Sequence, residues 1–332
     1  MTTSSTVLAG PAAGALTRQQ VLDLARAAHQ APSIHNTQPW RLSALPDGID
    51  VGEDPARALS GTDPSGRDRL ISCGAALRNA EIAMSRLGRE PVTALLPDGP
   101  HGSRLATLRA GRARPSSPAV DDLYRAIWAR RTHRRIFMST RPIEGLLPAL
   151  TAAVAPFRTR LGVLRPARRD RFAQIVWSAA QHQVHDEDVR RELAEWTRPD
   201  RGADGVPVRS QGTGPFPIDG LLTRTPPATQ TPPPWVLDDL ANGTVAVLVA
   251  PRDGRLEWLQ AGRALENLLL TLTAAGLVAS FINQAVQQEE FRGQLGDVVD
   301  EPGAPQVVLR IGEPLVTVPP TPRRPLGEVL SE

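Results

Sequence analysis

Apolar and polar residues alternate along most of the chain at two spacings, one typical of helices and one typical of strands. The first helical pattern covers residues 16–28, and a strand–turn–strand pattern follows over 41–51 with Asp47-Gly48 as the turn. Further helices are predicted over about 69–87, 120–130, 145–154, 168–185, 188–196, 256–275 and 289–295. Further strands are predicted over 91–96, 105–110, 159–164, 244–249, 277–283 and 306–311. This mixture predicts an α/β (α+β) protein.

The two longest predicted helices share a sequence pattern. Residues 73–79 (Cys-Gly-Ala-Ala-Leu-Arg-Asn) align with residues 261–267 (Ala-Gly-Arg-Ala-Leu-Glu-Asn), and the same offset aligns Gly88 with Gly276. A glycine inside a helix costs about 1 kcal/mol relative to alanine, so it needs a packing reason. We interpret the pattern as two diverged copies of one unit that pack helix against helix, as the subunits of a homodimer would. Chance similarity between two helices rich in small residues is the alternative.

This interpretation divides the chain into a first copy at residues 16–114 and a second copy at residues 119–332. A tail of small, uncharged residues at 1–15 precedes them and is expected to be disordered. A segment rich in glycine and proline, at about 197–235, interrupts the second copy. Loops of this length inside a compact domain are usually lids or linkers.

Composition narrows the range of partners. The 332 residues include 38 cationic side chains, all of them arginine, against 35 acidic ones. The arginines are scattered among acidic residues, so no nucleic-acid partner is expected. Cys73 is the only cysteine and the six histidines form no ligand pattern, which argues against disulfides and metal sites. No apolar run is long enough to span a membrane, so a cytoplasmic protein is expected.

A polar loop, residues 31–39, follows the first helix. Pro32 is expected to end that helix, because the residue before a proline is pushed out of the α region. Between Pro32 and Pro39 lie Ser33, Asn36 and Gln38, whose side chains could hold a planar ligand by hydrogen bonds. The alternative is an ordinary helix-to-strand loop in which the serine and the asparagine bond to their own backbone.

An arginine segment, residues 130–134, follows the helix predicted over 120–130. Arg130, Thr132 and Arg134 alternate, so in an extended stretch their side chains point the same way. Two guanidinium groups flanking a hydroxyl suit a phosphate group. The alternative is a solvated, Arg-rich surface.

Several segments together resemble the FMN-dependent nitroreductase family, most closely its Acg-type members. Residues 31–40 resemble the family signature Ala-Pro-Ser-x-x-Asn-x-Gln-Pro-Trp, and residues 130–134 resemble its Arg-Arg-Ser-x-Arg element, with Thr132 in place of the serine. Residues 322–325 resemble its C-terminal basic element, residues 275–284 the stretch beneath the flavin, and residues 196–207 the Acg-type proteins. The resemblance runs from about Leu16 to Leu330 and implies a nitroreductase-like fold that binds FMN.

The resemblance also implies which residues contact the cofactor. The phosphate would be held by Arg130, Thr132, Arg134 and one of Arg323 or Arg324. The ring or ribityl chain would be contacted by Pro32, Ser33, Ile34 and Asn36. The reactive edge of the ring would lie near Gly276, Asn283 and Gln284. No catalytic acid or base is assigned, since the flavin carries the hydride chemistry and His35 and His133 are expected to be structural.

In nitroreductase dimers the arginine element and the Pro-Ser-x-x-Asn loop of one site come from different subunits. In this chain the first copy has the loop, but at its start only Arg18 could serve as the arginine element. The second copy has the arginine segment, but residues 155–160 (Ala-Pro-Phe-Arg-Thr-Arg) stand where the loop would be. The resemblance therefore implies an intramolecular pseudo-dimer with one FMN, acting as a monomer, with further homodimerisation left open.

The resemblance implies an NAD(P)H-dependent flavin oxidoreductase acting on a small nitro or quinone-type acceptor, with NAD(P)H as the reductant. The alternative is a protein that stores or sequesters FMN beneath a lid with little turnover. The long proline-stiffened segment at 197–235 is the feature that favours this alternative.

Overall fold

The structure is a computed structural model that describes residues 14–135, 137–138, 143–198, 202–207, 210 and 231–332. The expected tail lies almost wholly outside these residues, as does most of the expected lid. The helices are α1 (Arg18–Ala28), α2 (Arg67–Arg86), α3 (Pro118–Ala129), α4 (Leu147–Val154), α5 (Arg169–His185), α6 (Glu187–Glu195), α7 (Pro234–Ala241), α8 (Arg255–Ala274) and α9 (Glu289–Val299). The strands are β1 (Trp40–Leu45), β2 (Gly48–Glu53), β3 (Arg89–Leu95), β4 (Arg104–Ala113), β5 (Arg160–Val163), β6 (Thr197–Arg198), β7 (Val206–Pro207), β8 (Thr244–Ala250), β9 (Val278–Phe281), β10 (Ala304–Gly312) and β11 (Leu330–Ser331).

The strands form two larger sheets whose orders correspond. The first sheet has the order β11-β1-β2-β4-β3, and the second has the order β5-β8-β10-β9. Replacing β1, β2, β3 and β4 by β5, β8, β9 and β10 converts one order into the other, and every one of these pairings is antiparallel. The additional strand β11 pairs in parallel with β1, so a segment near the end of the chain completes the first sheet.

The helices α2 and α8 cross in close contact between the two sheets. A Cβ atom on Gly74 would lie 2.2 Å from the carbonyl oxygen of Leu259, and one on Gly262 would lie 2.0 Å from that of Ile71. The aligned glycines of the repeat are therefore the points where the two helix backbones meet. Past the two helix ends, Gly88 and Gly276 have φ values of +75° and +77°, a left-handed conformation that glycine adopts without strain.

Each sheet has its own apolar packing. The first sheet packs on α1 and α2, and its core includes the buried Trp40, Leu42 and Leu77. The second sheet is covered on both faces: Val245 and Val247 face α5, α7 and α9, whereas Ala246 and Leu248 face α4 and α8. Strand β8 is therefore buried from Val245 to Ala250, as its unbroken apolar run predicts.

The β1–β2 hairpin corrects one expectation. Leu45 pairs with Gly48, so the turn residues are Pro46 and Asp47 and not Asp47-Gly48. Gly48 begins β2, where a Cβ atom would lie 1.8 Å from the carbonyl oxygen of Leu108 on β4. This glycine is required for close approach between neighbouring strands.

In the part of the chain that the structure describes, no helix combines the length and the apolar character needed to cross a membrane. Within the same residues, no cluster of histidine, cysteine and acidic side chains could hold a metal ion.

Candidate functional site

The polar loop has a strained backbone. Three of its non-glycine residues have positive φ angles: His35 at +46°, Asn36 at +57° and Gln38 at +51°. Such conformations cost on the order of 1 kcal/mol or more each and persist only where the surroundings enforce them. Ser33 Oγ accepts the Gln38 N–H at 2.9 Å, and Ser72 Oγ of α2 accepts the Ile34 N–H at 3.2 Å. The serine thus bonds to its own loop, as the structural alternative expects.

The amide side chains of the polar loop bind two distant segments. Asn36 Nδ2 donates to the carbonyl oxygens of Gly205 (2.9 Å) and Pro322 (3.1 Å). Gln38 Nε2 donates to Ala203 O at 3.0 Å. The loop is therefore covered by residues 203–205, which belong to the expected lid, and by the C-terminal basic segment at 322–325.

The arginine segment lies beside β9. Thr132 forms a parallel bridge with Ala279, and the His133 N–H donates to Ala279 O at 3.0 Å. This bridge places residues 130–134 next to the stretch that runs from Gly276 to Gln284. His133 is buried and stacks on Phe137 with ring centroids 5.5 Å apart, which supports a structural role.

Arg130 and Arg323 converge at the end of α1. Both donate to the carbonyl oxygen of Gln30, at 3.4 Å from Arg130 and 2.9 Å from Arg323. Arg323 also donates to His29 O at 2.8 Å and to Asn36 Oδ1 at 3.2 Å. Arg324 points elsewhere, because its Nε and one terminal nitrogen donate to the carboxylate and backbone oxygen of Glu328.

A buried carboxyl group lies behind these arginines. Glu266 of α8 is fully buried, with Oε1 3.8 Å from Arg130 Nε. Burial raises the pKa of Glu266 to about 7, against the opposing effect of the Arg130 charge. Burial also lowers the pKa of Arg323 to about 9, and the neighbouring Arg130 charge adds to this effect. Several cations thus share one carboxyl group, an arrangement that can accept an additional anion.

The remaining expected site residues differ in their burial and in their hydrogen bonds. Gly276 has no atom within 4 Å of the place where a Cβ would stand, so it borders open space. Asn283 Oδ1 accepts the Val308 N–H of β10 at 3.0 Å and ties the stretch to the sheet. Gln284 Oε1 is buried and meets no hydrogen-bond donor among the described residues. Pro32 is buried, whereas Ile34 and Arg134 are half-buried.

The described part of the expected lid is anchored on the same side. Arg57 donates to Thr37 O at 2.7 Å and to Asp204 Oδ2 at 3.0 Å, and its guanidinium lies 5.8 Å from the centre of the Trp196 ring. Glu192 of α6 accepts the backbone N–H groups of residues 61 and 62. Residues 208–209 and 211–230 lie outside the described residues.

Sequence reasoning did not identify Glu266 or Arg57 as part of this region. Glu266 carried one usable signal: it is a charged residue at the position of α8 that aligns with the charged Arg78 of α2. Arg57 carried no comparable signal, because its partners lie far away along the chain.

No model of a known protein family matches the chain. A protein of Mycobacterium tuberculosis named "Putative NAD(P)H nitroreductase Rv3131" is 36% identical over 309 residues, which span 91% of this chain and 88% of that protein. "Putative NAD(P)H nitroreductase acg" of the same species is 28% identical over 312 residues, spanning 90% and 92%. Among solved structures, a nitroreductase with bound FMN from Desulfitobacterium hafniense is 12% identical, covering 64% of this chain and 97% of its own at a TM-score of 0.41. The 36% identity over about nine-tenths of both chains indicates common descent.

Proposed function

The chain belongs to the nitroreductase family, and from this premise we propose that it binds FMN and acts as an NAD(P)H-dependent flavin oxidoreductase on a small nitro or quinone-type acceptor. The convergence of Arg130 and Arg323 on one carbonyl oxygen, where the polar loop meets the arginine segment, carries the proposal. A phosphate group is the natural ligand of paired guanidinium groups in a partly buried site.

The residues present fit FMN. The arginine pair has a surplus of positive charge for the phosphate, which Thr132 and Arg134 would also contact. Gln284 Oε1, a buried acceptor without a donor in the described part of the chain, suits an N–H group of the flavin ring. Pro32, Ser33, Ile34 and Asn36 would border the ring or the ribityl chain, and Gly276 leaves space beside it. When bound, FMN supplies the hydride transfer, while the chain binds the cofactor, orients it and controls access.

We also propose that the chain is an intramolecular pseudo-dimer of two units, residues 16–114 and 119–332. The corresponding strand orders of the two sheets and the paired glycines of α2 and α8 support this view. The position equivalent to the polar loop in the second unit holds Phe157. The guanidinium groups of Arg78 and Arg263 lie 5.4 Å and 4.8 Å from the centre of its ring. An aromatic side chain in that place supports one flavin site per chain.

A second candidate function is storage or sequestration of FMN. It is favoured by the hydrogen bonds that hold residues 203–205 across Asn36 and Gln38. A segment bonded over the polar loop would limit the access of a nicotinamide to the flavin.

An absorbance spectrum of the purified protein, repeated after anaerobic addition of NADPH, tests both functions. Flavin peaks at one flavin per chain that bleach with NADPH support the reductase. Peaks that persist with NADPH but bleach with dithionite support storage. Absence of flavin, even after incubation with FMN, contradicts both functions.

A further inference from the structure

A buried polar cluster lies behind the arginine segment, where α2 and α8 cross. Its members are Asn79 of α2, Glu266 of α8, Arg130 and Arg323, and the first two are completely buried. Neither carboxyl oxygen of Glu266 and not the Nε of Arg130 has a hydrogen-bond partner of good geometry within the described residues, although the Asn79 amide lies close enough to lower the pKa of the Glu266 carboxyl group. Buried polar groups are almost always paired, so a cluster with this many unsatisfied atoms indicates that something further enters it.

The charges that act on Glu266 come from α2, the arginine segment and the C-terminal basic segment. Arg130 Nε lies 3.8 Å away, which is too far for a hydrogen bond, and the charges of Arg323 and Arg78 also act on the carboxyl group. Arg78 is engaged by Glu81 and by Asn267 Oδ1, so it is not available as a full partner. The ionised form of Glu266 is therefore compensated mainly by Arg130 and Arg323, the two arginines that converge on the end of α1.

The Asn79 amide matches the protonated form of Glu266. A carboxylic acid donates one hydrogen bond and accepts another, as a primary amide does, so the two groups can satisfy one another reciprocally. The amide N–H also donates to the ionised carboxylate and so lowers the pKa of Glu266, but burial outweighs this effect. Burial already raises the pKa of Glu266 to about 7, so the protonated form is accessible near neutral pH.

We propose that Glu266 is the internal counterion of the phosphate site, a positioning residue that pairs with Arg130 while the site is empty and takes up a proton when FMN binds. This inference rests on the proposed binding of the FMN phosphate by Arg130 and Arg323. A carboxylate and a phosphate dianion that share the same two buried arginines cannot both remain ionised at low cost. The proton comes from solvent and resides on the Glu266 carboxyl group, which then bonds with Asn79, while Arg130 turns its charge to the phosphate.

Proton uptake gives the binding equilibrium a definite pH dependence. Above about pH 7, where the empty site holds ionised Glu266, FMN affinity decreases by up to tenfold per pH unit, since one proton enters with each ligand. The phosphate group of FMN has its own titration near pH 6, which is common to every variant and therefore cancels between them.

Calorimetric titration of the flavin-free full chain with FMN at pH 8, in two buffers of different ionisation enthalpy, counts the protons. The native protein is expected to take up about one proton per FMN and Glu266→Gln about none. Riboflavin, which lacks the phosphate, is expected to bind either protein without proton uptake. Glu53→Gln is the matched control. Glu53 is another buried carboxyl group, but it pairs with Arg255 at the start of α8, about 16 Å along the helix from Glu266.

Two results would overturn the inference and leave the proposed function intact. One is FMN binding to the native protein without proton uptake, and the other is equal proton uptake by the native protein and Glu266→Gln. Failure of the native protein to bind FMN at any pH overturns the proposed function together with the inference. If Glu266→Gln does not fold, the native protein alone decides. The inference then requires proton uptake with FMN and none with riboflavin, together with an FMN affinity that falls from pH 7 to pH 9.

Discussion

Adjacent residues of the arginine segment face opposite sides. Arg130 is buried against Glu266, whereas Arg131 turns back and donates to the carbonyl oxygens of Trp128 and Arg130 at 2.8 Å each. This is the alternation expected of an extended stretch. It makes Arg131 a matched control for its neighbours, because it carries the same charge in the same segment but directs it to the backbone of α3.

Arg134→Ala is predicted to weaken FMN binding roughly 10- to 150-fold. A charge-assisted hydrogen bond to phosphate is worth about 1.5–3 kcal/mol, and each 1.4 kcal/mol is a factor of ten. Arg131→Ala is expected to change the dissociation constant much less. Fluorescence titration of the flavin-free variants measures both. Equal losses in the two variants would mean that the effect is one of general positive charge and that residues 130–134 do not form a directed phosphate site.

His29 links the polar loop, β1 and the C-terminal basic segment in its neutral form. Trp40 Nε1 donates to His29 Nδ1 at 3.0 Å, and His29 Nε2 donates to Arg324 O at 2.8 Å. Burial lowers the pKa of His29 from 6.5 to about 4. Between these two values the unfolded chain binds a proton that the folded protein excludes, so the free energy of unfolding falls as the pH falls.

His29→Gln is predicted to remove this acid sensitivity, since glutamine can keep both hydrogen bonds without titrating. From pH 7.5 to pH 4 the native protein should lose about 3 kcal/mol more unfolding free energy than the variant, as 1.36 kcal/mol per pKa unit requires. Urea unfolding at several pH values measures the difference. Parallel pH profiles for the two proteins would show that His29 is not the group responsible.

The sequence motifs point to segments of the chain and carry no information on which individual side chains meet. The motifs indicated that residues 31–39, 130–134 and 322–325 belong together, but not that Arg323 and not Arg324 would lie beside Arg130. The segment 322–325 is irregular and bounded by prolines, so no helical or strand period indicates which side chain faces inward. Glu266 was missed because its partner Arg130 is distant in sequence, and spacing within α8 carries no information about it.

At the level of secondary structure, α2 and α8 can cross this closely because Gly74 and Gly262 have no side chain at the crossing point. Gly74→Ala or Gly262→Ala would place a Cβ within 2.2 Å of a backbone carbonyl oxygen of the other helix, which cannot move without separating the helices. Each substitution is predicted to lower the free energy of unfolding by about 1–3 kcal/mol.

Gly293→Ala in α9 is the control for this pair. No atom lies within 4 Å of its Cβ position, so alanine should stabilise the protein there by about 0.5–1 kcal/mol through helix propensity alone. Chemical denaturation of the three variants measures the contrast. A small effect at Gly74 and Gly262 would show that the helices are packed less tightly than the structure indicates.

Elements with a clear period were predicted within a few residues, whereas the short ones were missed. The strands β6 and β7 have two residues each and exist only because they pair with one another, so no local pattern marks them. The helix α7 begins at Pro234, the last of three consecutive prolines, so the sequence there is typical of a loop. The turn of the β1–β2 hairpin was misplaced because Gly48 looks like a turn residue when its packing against β4 is not known.

For the molecule as a whole, Arg57 links two segments that are distant in sequence, at Thr37 and Asp204, beside the proposed flavin site. Its ion pair with Asp204 connects the described part of the expected lid to the polar loop, and both side chains are largely buried. Asp204→Asn is predicted to increase the rate of anaerobic flavin reduction by NADPH about fivefold, which corresponds to a loss of about 1 kcal/mol in the closed arrangement. Stopped-flow absorbance measures this rate.

Asp188→Asn is the matched control, because Asp188 forms an exposed ion pair with Arg191 on α6. This variant should reduce at the native rate. An unchanged rate in Asp204→Asn would mean that the Arg57–Asp204 contact does not limit access to the flavin.

The pairing of β11 with β1 has a consequence for biosynthesis. The Leu42 N–H donates to Val329 O at 2.7 Å, and Leu42 lies opposite Leu330. On the ribosome, β1 emerges early, but its partner emerges only after nearly 300 further residues have been translated. Until then β1 remains an open sheet edge, which can recruit strands from neighbouring nascent chains. Shortening the chain before residue 329 would make that transient hazard permanent, so such truncations should appear in cells as insoluble protein more than as loss of cofactor.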